Sequence, residues 1–156
     1  RLDSLQKAKQ KQNKAKQIVI SPDSPAVRKD LIGKYCQAGF EFPIIVGGDV
    51  SKYCEVAEGA VIQRHVFVSA GCVIGKAVKV NVGAKIMHDS IIGCFSTIAP
   101  QAVVLGGVTV GRNSYIGANA TILPRVVIGD CVTVGAGAVV TKDIRDGETV
   151  KGVPAR

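Results

Sequence analysis

The chain has 156 residues, which is enough for one domain and a short appendage. Its aromatic residues are four Phe and three Tyr, with no Trp, so a core built on large aromatic side chains is excluded. The formal net charge is +8, and 18 residues are glycine. A core of Val, Ile and Ala with regularly placed glycines favours a repetitive architecture.

Residues 1–17 form a basic, polar arm with six Lys or Arg residues and one acidic residue, Asp3. Such an arm can attract the phosphates of nucleic acids or membranes. Because it has almost no apolar face, we predict a solvated, frayed helix and no nucleic-acid partner. No apolar run near the start of the sequence is long enough for a signal peptide or a membrane span, so we also predict no membrane insertion.

Residues 18–49 have the pattern of a strand–helix–strand unit. The apolar run IVI at 18–20 predicts a buried strand, and FPIIV at 42–46 predicts a second one. This unit is too small to be a domain by itself. We therefore expect it to pack against the base of the repeat region that follows, or against a neighbouring subunit.

A helix is predicted between these two strands. Ser24 is a suitable N-cap, Pro25 fits the first turn, and Gly39 provides a C-terminal stop. Gly33 lies inside the helix and lowers its intrinsic stability by about 1 kcal/mol. The predicted apolar stripe consists of Val27, Leu31, Tyr35 and Cys36.

From Val50 onward the sequence repeats every six residues, without insertion or deletion. Each repeat carries Val or Ile at one position, and the residue four places later is nearly always small or β-branched. The first set is Val50, Val56, Ile62, Val68, Ile74, Val80, Ile86, Ile92, Ile98, Val104, Val110, Ile116, Ile122, Ile128, Val134 and Val140. The second set is Cys54, Ala60, Val66, Cys72, Val78, Ala84, Ser90, Ser96, Ala102, Val108, Ser114, Ala120, Val126, Val132, Ala138 and Ile144.

This period predicts a β-solenoid. Each repeat supplies a short strand with one aliphatic side chain pointing inward, followed by a turn that admits a small residue. No repeat can bury its apolar residue alone, so the coils must stack. Three repeats close a triangular coil of 18 residues, and Cys54 and Cys72 have that spacing. We expect these two residues to stack at one corner of the core.

The cysteines do not indicate a metal or redox site. Their odd number, their scatter and the absence of a C-x-x-C pair favour a reducing, cytoplasmic location and make zinc binding improbable. The five are Cys36, Cys54, Cys72, Cys94 and Cys131.

Stacking by 18 residues places side chains in columns, and one column contains His88. The coils directly below and above His88 carry Ala70 and Gly106 at the same position. We predict that these small neighbours leave open space beside the imidazole and that Gly106-Gly107 lets a ligand approach the backbone. His88-Asp89 is thus a candidate site, although a solvated polar turn would also fit this pair.

A second column lies at another corner and contains Arg64, Val82, Pro100, Ala118 and Ala136. Gly117 and Gly135 precede the last two of these. We predict a smooth strip with accessible main-chain amides, suited to an extended, narrow ligand. His65, which follows Arg64, has no comparable gap beside it, and we expect it to be a surface residue in a turn.

Residues 80–156 resemble the bacterial sugar O- and N-acetyltransferases, and residues 18–79 resemble them more loosely. The motifs are His88-Asp89, I-A-P, G-G-V, I-L-P and the closing G-V-P-A-R. This family includes sialic-acid O-acetyltransferases and nucleotide-linked 4-amino-sugar N-acetyltransferases. The resemblance implies an all-β fold, a left-handed parallel β-helix over residues 50–156. It also implies that the segment 18–49 is the remnant of a Rossmann-like domain, although the sequence has no Gly-rich nucleotide-binding loop.

The resemblance also implies an activity in bacterial surface-glycan biosynthesis. Acetyl-CoA would be the donor, an amino or hydroxyl group of a sugar, often nucleotide-linked, would be the acceptor, and no metal would take part. His88 would be the general base and Asp89 its orienting neighbour. The active sites would lie between the subunits of a cytoplasmic homotrimer.

The same resemblance places the donor along the prism. The thioester would lie near His88 and Gly106, and a backbone amide of Gly106-Gly107 could stabilise the oxyanion. The pantetheine would run past Thr97 and along the strip of the second column, Gly117, Ala118, Gly135 and Ala136. The CoA phosphates would meet Lys142, Arg145, Lys151 and Arg156, for which plain solvated charge is an equal alternative.

Two other functions fit a β-helix of this kind. The first is an inactive trimeric scaffold, and the second is an acetyltransferase with a non-sugar acceptor. A γ-type carbonic anhydrase is excluded because its zinc site needs three histidines and this chain has two.

Overall fold

A computed structural model describes residues 16–156 of the chain. Most of the predicted basic arm, and with it the predicted frayed helix, lies outside the described residues. The described part consists of one helix and twenty short strands. No helix in residues 16–156 is long and apolar enough to span a membrane.

Eighteen of the strands form three parallel sheets that are the faces of a triangular prism. Sheet 1 contains β4 (Asp49–Val50), β7 (Phe67–Val68), β10 (Lys85–Ile86), β13 (Val103–Val104), β16 (Thr121–Ile122) and β19 (Val139–Val140). Sheet 2 contains β5 (Glu55–Val56), β8 (Val73–Ile74), β11 (Ile91–Ile92), β14 (Thr109–Val110) and β17 (Val127–Ile128). Sheet 3 contains β3 (Ile45–Val46), β6 (Val61–Ile62), β9 (Lys79–Val80), β12 (Thr97–Ile98), β15 (Tyr115–Ile116), β18 (Thr133–Val134) and β20 (Thr149–Val150).

The register within each sheet confirms the predicted 18-residue coil. Ile86, for example, pairs with Val68 on one side and with Val104 on the other. One aliphatic side chain of each strand points into the prism, and in the middle coils these side chains are fully buried. Cys72 is buried in this core and Cys54 packs against it, so the predicted stacking of the two thiols is confirmed. Burial raises the pKa of the Cys72 thiol.

The first and last coils are shorter than the period predicts. Ile45 pairs with Val61, and Thr133 pairs with Thr149, so each of these pairs is 16 residues apart. Ile144 bridges to Ile128 with the same spacing. The prediction of Ile144 as a corner residue was therefore wrong, because a two-residue deletion moves it to an inward position. The solenoid also begins at β3, one strand before Val50.

The N-terminal unit differs from its prediction in the position of its strands. β1 (Lys16–Gln17) and β2 (Phe40–Glu41) form a small parallel sheet, so the first strand lies about two residues earlier than predicted. The strand predicted at 42–46 is confirmed only at its end, by β3, and it belongs to the solenoid and not to the N-terminal unit. Helix α1 (Pro25–Gln37) connects β1 and β2 and has Ser24 as its N-cap, as predicted. Gly39 follows the helix with a φ of +76°, which confirms the predicted stop.

A buried arginine fastens α1 to the prism. The Arg28 side chain is fully buried, and its guanidinium donates to the carbonyls of Ala77, Ser96 and Pro22, the last at 2.6 Å. Burial lowers the pKa of Arg28 to about 10, so the side chain stays charged at neutral pH.

The predicted apolar stripe of α1 was therefore partly wrong. Arg28 and Ile32 are the buried residues of the helix, whereas Val27 is 48% exposed and Cys36 is also exposed. Leu31 and Tyr35 are half-buried and pack beside Ile32. The helix docks on the side of the prism, against Ala77 and Phe95, and not on its base.

Candidate active site

His88 and Asp89 lie in the turn between β10 and β11, at the corner where sheet 1 meets sheet 2. We call this the dyad corner, and it also contains Gly71 and Gly106 of the neighbouring coils. Asp89 has a φ of +58°, the left-handed conformation that lets the chain turn between two faces of the prism. This turn brings the Asp89 side chain beside that of the preceding residue.

The two side chains form a hydrogen-bonded pair. The Nδ1 atom of His88 is 2.9 Å from Oδ2 of Asp89. Because an ionised carboxylate only accepts hydrogen bonds, the neutral imidazole carries its proton on Nδ1 and keeps Nε2 free as an acceptor. Both side chains are exposed, at 64% for His88 and 73% for Asp89. The arrangement can accept a proton at Nε2 from a group that approaches from outside the prism.

The imidazole occupies the space that Gly106 leaves. A Cβ atom at Gly106 would lie 2.6 Å from Nε2 and 2.7 Å from Cε1 of His88. The prediction of open space beside the imidazole was therefore wrong on this side, because the ring itself rests there. The ring can take this position because residue 106 has no side chain.

Gly106 and Gly107 were both predicted to offer a backbone amide to a ligand, but the amide of Gly107 is already hydrogen-bonded within the solenoid. The Gly107 amide donates to the carbonyl of His88 at 2.9 Å, and this bond joins two successive coils. The Gly106 amide has no acceptor among residues 16–156. It is therefore the backbone donor next to Nε2 that a ligand can use.

At the strip predicted for the corner between sheets 3 and 1, some backbone amides are likewise hydrogen-bonded within the solenoid and others are not. The amides of Gly117 and Gly135 donate to Val134 and Val150, both at 2.8 Å, so the prediction of accessible amides is wrong for them. Gly117 is glycine because a Cβ would lie 2.6 Å from backbone atoms of the next coil. Within residues 16–156, the amides of Ala118 and Ala136 have no acceptor, and these two amides remain open to a ligand.

Thr97 is not part of either surface. Its side chain is fully buried, and its hydroxyl donates to the carbonyl of Asp23 at 2.7 Å. The segment that precedes α1 therefore covers it, and the predicted pantetheine contact is not open within one chain. Lys142, in contrast, is exposed in the turn after β19, two coils above Gly106.

Asp23, whose side chain is 58% exposed, lies over a group of buried polar side chains on sheet 3, namely Lys79, Asn81 and Thr97. The carboxylate accepts from Lys79 and from Asn81, each at 2.8 Å. The hydrogen bond from Lys79 lowers the pKa of Asp23, which stays ionised at neutral pH. Sequence reasoning missed this cluster, because nothing in the period shows that residues 21–24 fold onto the prism.

Sequence reasoning also missed Gly71, which lies one coil below Asp89. A Cβ atom at Gly71 would overlap Oδ1 of Asp89 and lie 3.4 Å from its Cγ. Gly71 lies 18 residues before Asp89, so the column spacing that places Gly106 beside His88 also places Gly71 beside Asp89. His65 is exposed, with a φ of +59°, in agreement with a surface turn.

At the dyad corner the side chains of His88 and Asp89 are open to solvent. A cavity of about 420 Å³ near Ile45 and Val82 and one of about 600 Å³ between α1 and Phe95 both lie elsewhere. In residues 16–156 no group of three or more His, Cys, Asp or Glu side chains could hold a metal ion.

The chain is similar to a family of proteins and to several solved structures. The family model described as "Bacterial transferase hexapeptide (six repeats)" matches residues 89–124 and 107–142. A comparison with curated protein sequences gave no match. The acetyltransferase domain of PglB from Neisseria gonorrhoeae, solved in complex with acetyl coenzyme A, is 32% identical. The match covers 90% of this chain and 69% of that one, with a TM-score of 0.87.

Two further structures come from Caulobacter crescentus. PerB in complex with CoA and GDP-perosamine is 30% identical, with a TM-score of 0.88, and the match covers 90% of this chain and 69% of that chain. A mutant of GDP-perosamine N-acetyl transferase, with the same two ligands, is 29% identical with a TM-score of 0.89. That match covers 94% of this chain and 70% of the other. The predicted left-handed parallel β-helix is thereby confirmed, and the chain belongs to the hexapeptide-repeat sugar acetyltransferases.

Proposed function

We propose that the chain transfers the acetyl group of acetyl-CoA to the amino group of a nucleotide-linked amino sugar, with His88 as the general base. The observation that carries this proposal is the His88–Asp89 hydrogen bond of 2.9 Å, which leaves Nε2 of an exposed imidazole free to accept a proton. The similar structures support the class of substrate, since PerB was solved with CoA and GDP-perosamine. A reactive amine on a sugar is a nucleophile that this arrangement suits.

In the proposed step, His88 Nε2 takes a proton from the amine as the amine nitrogen attacks the thioester carbonyl. A C–N bond forms, the C–S bond breaks, and the CoA sulfur leaves with a proton returned from the imidazolium. Asp89 holds the imidazole in the Nδ1–H tautomer and stabilises the charged ring. The free amide of Gly106 is the proposed donor to the oxyanion of the tetrahedral intermediate.

The donor would lie in the groove between two subunits of a trimer, because the dyad corner and the strip of Ala118 and Ala136 are different corners of one prism. Its thioester would lie near His88 and Gly106, and its pantetheine would run along the strip where the amides of Ala118 and Ala136 are unpaired. The exposed side chain of Lys142 would face the CoA phosphates. Gly117 and Gly135 shape this strip without donating to the ligand, because their amides bond within the solenoid.

We propose a homotrimer whose active sites include the dyad corner. Large apolar side chains are exposed on the outer faces of the two sheets that meet at this corner. They are Phe67 at 41%, Val73 at 36%, Ile91 at 46% and Val127 at 48% exposure. Val73 and Ile91 lie on neighbouring strands, and exposed apolar surface of this kind marks an interface with another subunit. The prism from residue 50 to 156 would be the catalytic unit, and residues 18–49 would belong to an acceptor-binding part. The reaction would take place in the cytoplasm and serve surface-glycan biosynthesis.

The experiment that tests this proposal measures CoA thiol release from acetyl-CoA with a panel of UDP- and GDP-linked amino sugars. The His88→Ala variant should lower kcat by about 100-fold or more, because general-base catalysis contributes about 10²–10⁴-fold. The matched control is His65→Ala, which removes an exposed histidine from a left-handed turn at a different corner. This control should keep the wild-type rate.

Two results would contradict the proposal. One is an absence of thiol release with every amino sugar, whether nucleotide-linked or free. The other is a His88→Ala variant that is as active as His65→Ala. Turnover with sugars that bear only hydroxyl groups, and none with amines, would overturn the choice of an amine acceptor.

A further inference from the structure

Gly71 lies directly below Asp89, and the Asp89 carboxylate rests on it. The carboxylate is shared between two contacts: Oδ2 is 2.9 Å from Nδ1 of His88, and Oδ1 occupies the place that a Cβ atom of Gly71 would fill. We infer that Gly71 is a positioning residue for the catalytic pair, because its missing side chain lets the carboxylate lie against the lower coil and reach the imidazole. This inference rests on the proposed function of His88.

The backbone conformation alone does not require glycine at this position. Gly71 has a φ of +74°, which glycine adopts without strain. However, nine residues other than glycine have a positive φ within residues 16–156, and Ala77 in an equivalent turn has a φ of 54°. The solenoid turn therefore accepts a Cβ atom. What distinguishes Gly71 is the carboxylate that lies over it.

The position of this carboxylate depends on few contacts. The Asp89 side chain is 73% exposed, so the surrounding protein does not enclose it. A Cβ atom at Gly71 would push Oδ1 outward, and Oδ2 would move with it, away from Nδ1. The imidazole itself rests on Gly106 of the upper coil. The catalytic pair is thus seated between two glycines on opposite sides, and each glycine makes room for one of the two side chains.

The matched variants for a test are Gly71→Ala and Gly83→Ala. Gly83 has a φ of +71°, and a Cβ atom there would overlap the side chain of Gln101, which lies one coil above it. Both substitutions therefore add the same backbone strain and displace a polar side chain. Only Gly71→Ala displaces the Asp89 carboxylate.

We expect Gly71→Ala to lower kcat by about 10- to 100-fold, because a misplacement of about 1 Å in a catalytic arrangement can cost about 100-fold in rate. The KM for acetyl-CoA should not change, and Gly83→Ala should keep the wild-type kcat. Equal losses in the two variants would overturn the inference, because strain in the turn would then explain both.

A double-mutant cycle separates positioning from a structural role. In an Asp89→Ala background there is no carboxylate to position, so adding Gly71→Ala should cause no further loss of kcat. A loss of the same size with and without Asp89 would show that Gly71 acts through the fold, and would overturn the inference.

A spectroscopic readout tests Gly71 even if the proposed function fails. The ¹⁵N resonances of the His88 ring nitrogens, detected through the carbon-bound ring protons and assigned by their disappearance in His88→Ala, should show the Nδ1–H tautomer in the wild type and in Gly83→Ala. The Nδ1 resonance should shift in Gly71→Ala. An unchanged resonance in Gly71→Ala would overturn the positioning role, whereas absence of enzymatic activity in the wild type would overturn only the proposed function.

Discussion

Two corners of the prism use glycine for different purposes. At the corner where sheet 2 meets sheet 3, the backbones of successive coils touch at four stacked glycines, Gly75, Gly93, Gly111 and Gly129, and we call this column the glycine corner. A Cβ atom at Gly93, for example, would lie 2.6 Å from the carbonyl carbon of Gly111. At the dyad corner the space beside Gly71 is filled by the Asp89 side chain from the coil above, and the space beside Gly106 is filled by the His88 side chain from the coil below. Glycine therefore supports the fold at one corner and makes room for the proposed catalytic pair at the other.

The largest effect is expected from Gly111→Ala at the glycine corner. The new Cβ atom would overlap the carbonyl of Gly129 and lie 2.6 Å from the Asp130 amide nitrogen, and neither group can rotate away. Gly111 does not have a positive φ, so contact is the only penalty. We expect the free energy of unfolding to fall by about 3 kcal/mol or more, at the upper end for overpacked sites. Urea unfolding followed by circular dichroism measures this, and a loss below about 1 kcal/mol would show that the coils can separate.

The next effect is expected from Gly106→Ala at the dyad corner, where the atoms in the way belong to a side chain. The imidazole of His88 can rotate outward, so we expect the unfolding free energy to change by less than about 1 kcal/mol. Rotation moves Nε2 away from the Gly106 amide, and kcat should fall by about 100-fold. Steady-state acetyl transfer and urea unfolding on the same preparation test both statements. A variant with full activity would contradict the placement of the base, and one as unstable as Gly111→Ala would remove the difference between the corners.

The sequence predicted the prism because its physical cause is periodic. A strand that buries one aliphatic side chain per repeat has to show Val or Ile every sixth residue, and stacking turns that period into columns. His88 and Gly106 were found in this way, since their proximity follows from register alone. The free amides of Ala118 and Ala136 were predicted only in part, because the pattern does not show which amide of a turn bonds to the next coil.

The features that the sequence did not reveal depend on tertiary contacts that do not repeat along the chain. Because Arg28 is polar, the buried stripe of the helix was assigned to apolar residues. Arg28 is buried because carbonyls of the prism accept hydrogen bonds from its guanidinium. Thr97 was assigned to the donor groove because nothing in the repeat shows that Asp23 covers it. The terminal coils are shortened by local two-residue deletions, which a strict six-residue period does not predict.

The smallest of the three effects is expected where glycine is needed only for its backbone conformation, since the 100-fold loss of kcat in Gly106→Ala corresponds to about 2.7 kcal/mol. Gly147 has a φ of +73°, and a Cβ atom there would meet nothing within 4 Å. Gly147→Ala should therefore lower the unfolding free energy by about 1–2 kcal/mol, the strain of a left-handed residue, and leave kcat unchanged. Gly147→Asn should lower it by less, because asparagine tolerates this conformation better. If Gly147→Ala were as destabilising as Gly111→Ala, backbone strain and contact between coils could not be distinguished by stability. The expected order separates the reasons for glycine: contact between backbones at Gly111, room for a side chain at Gly106, and a positive φ at Gly147.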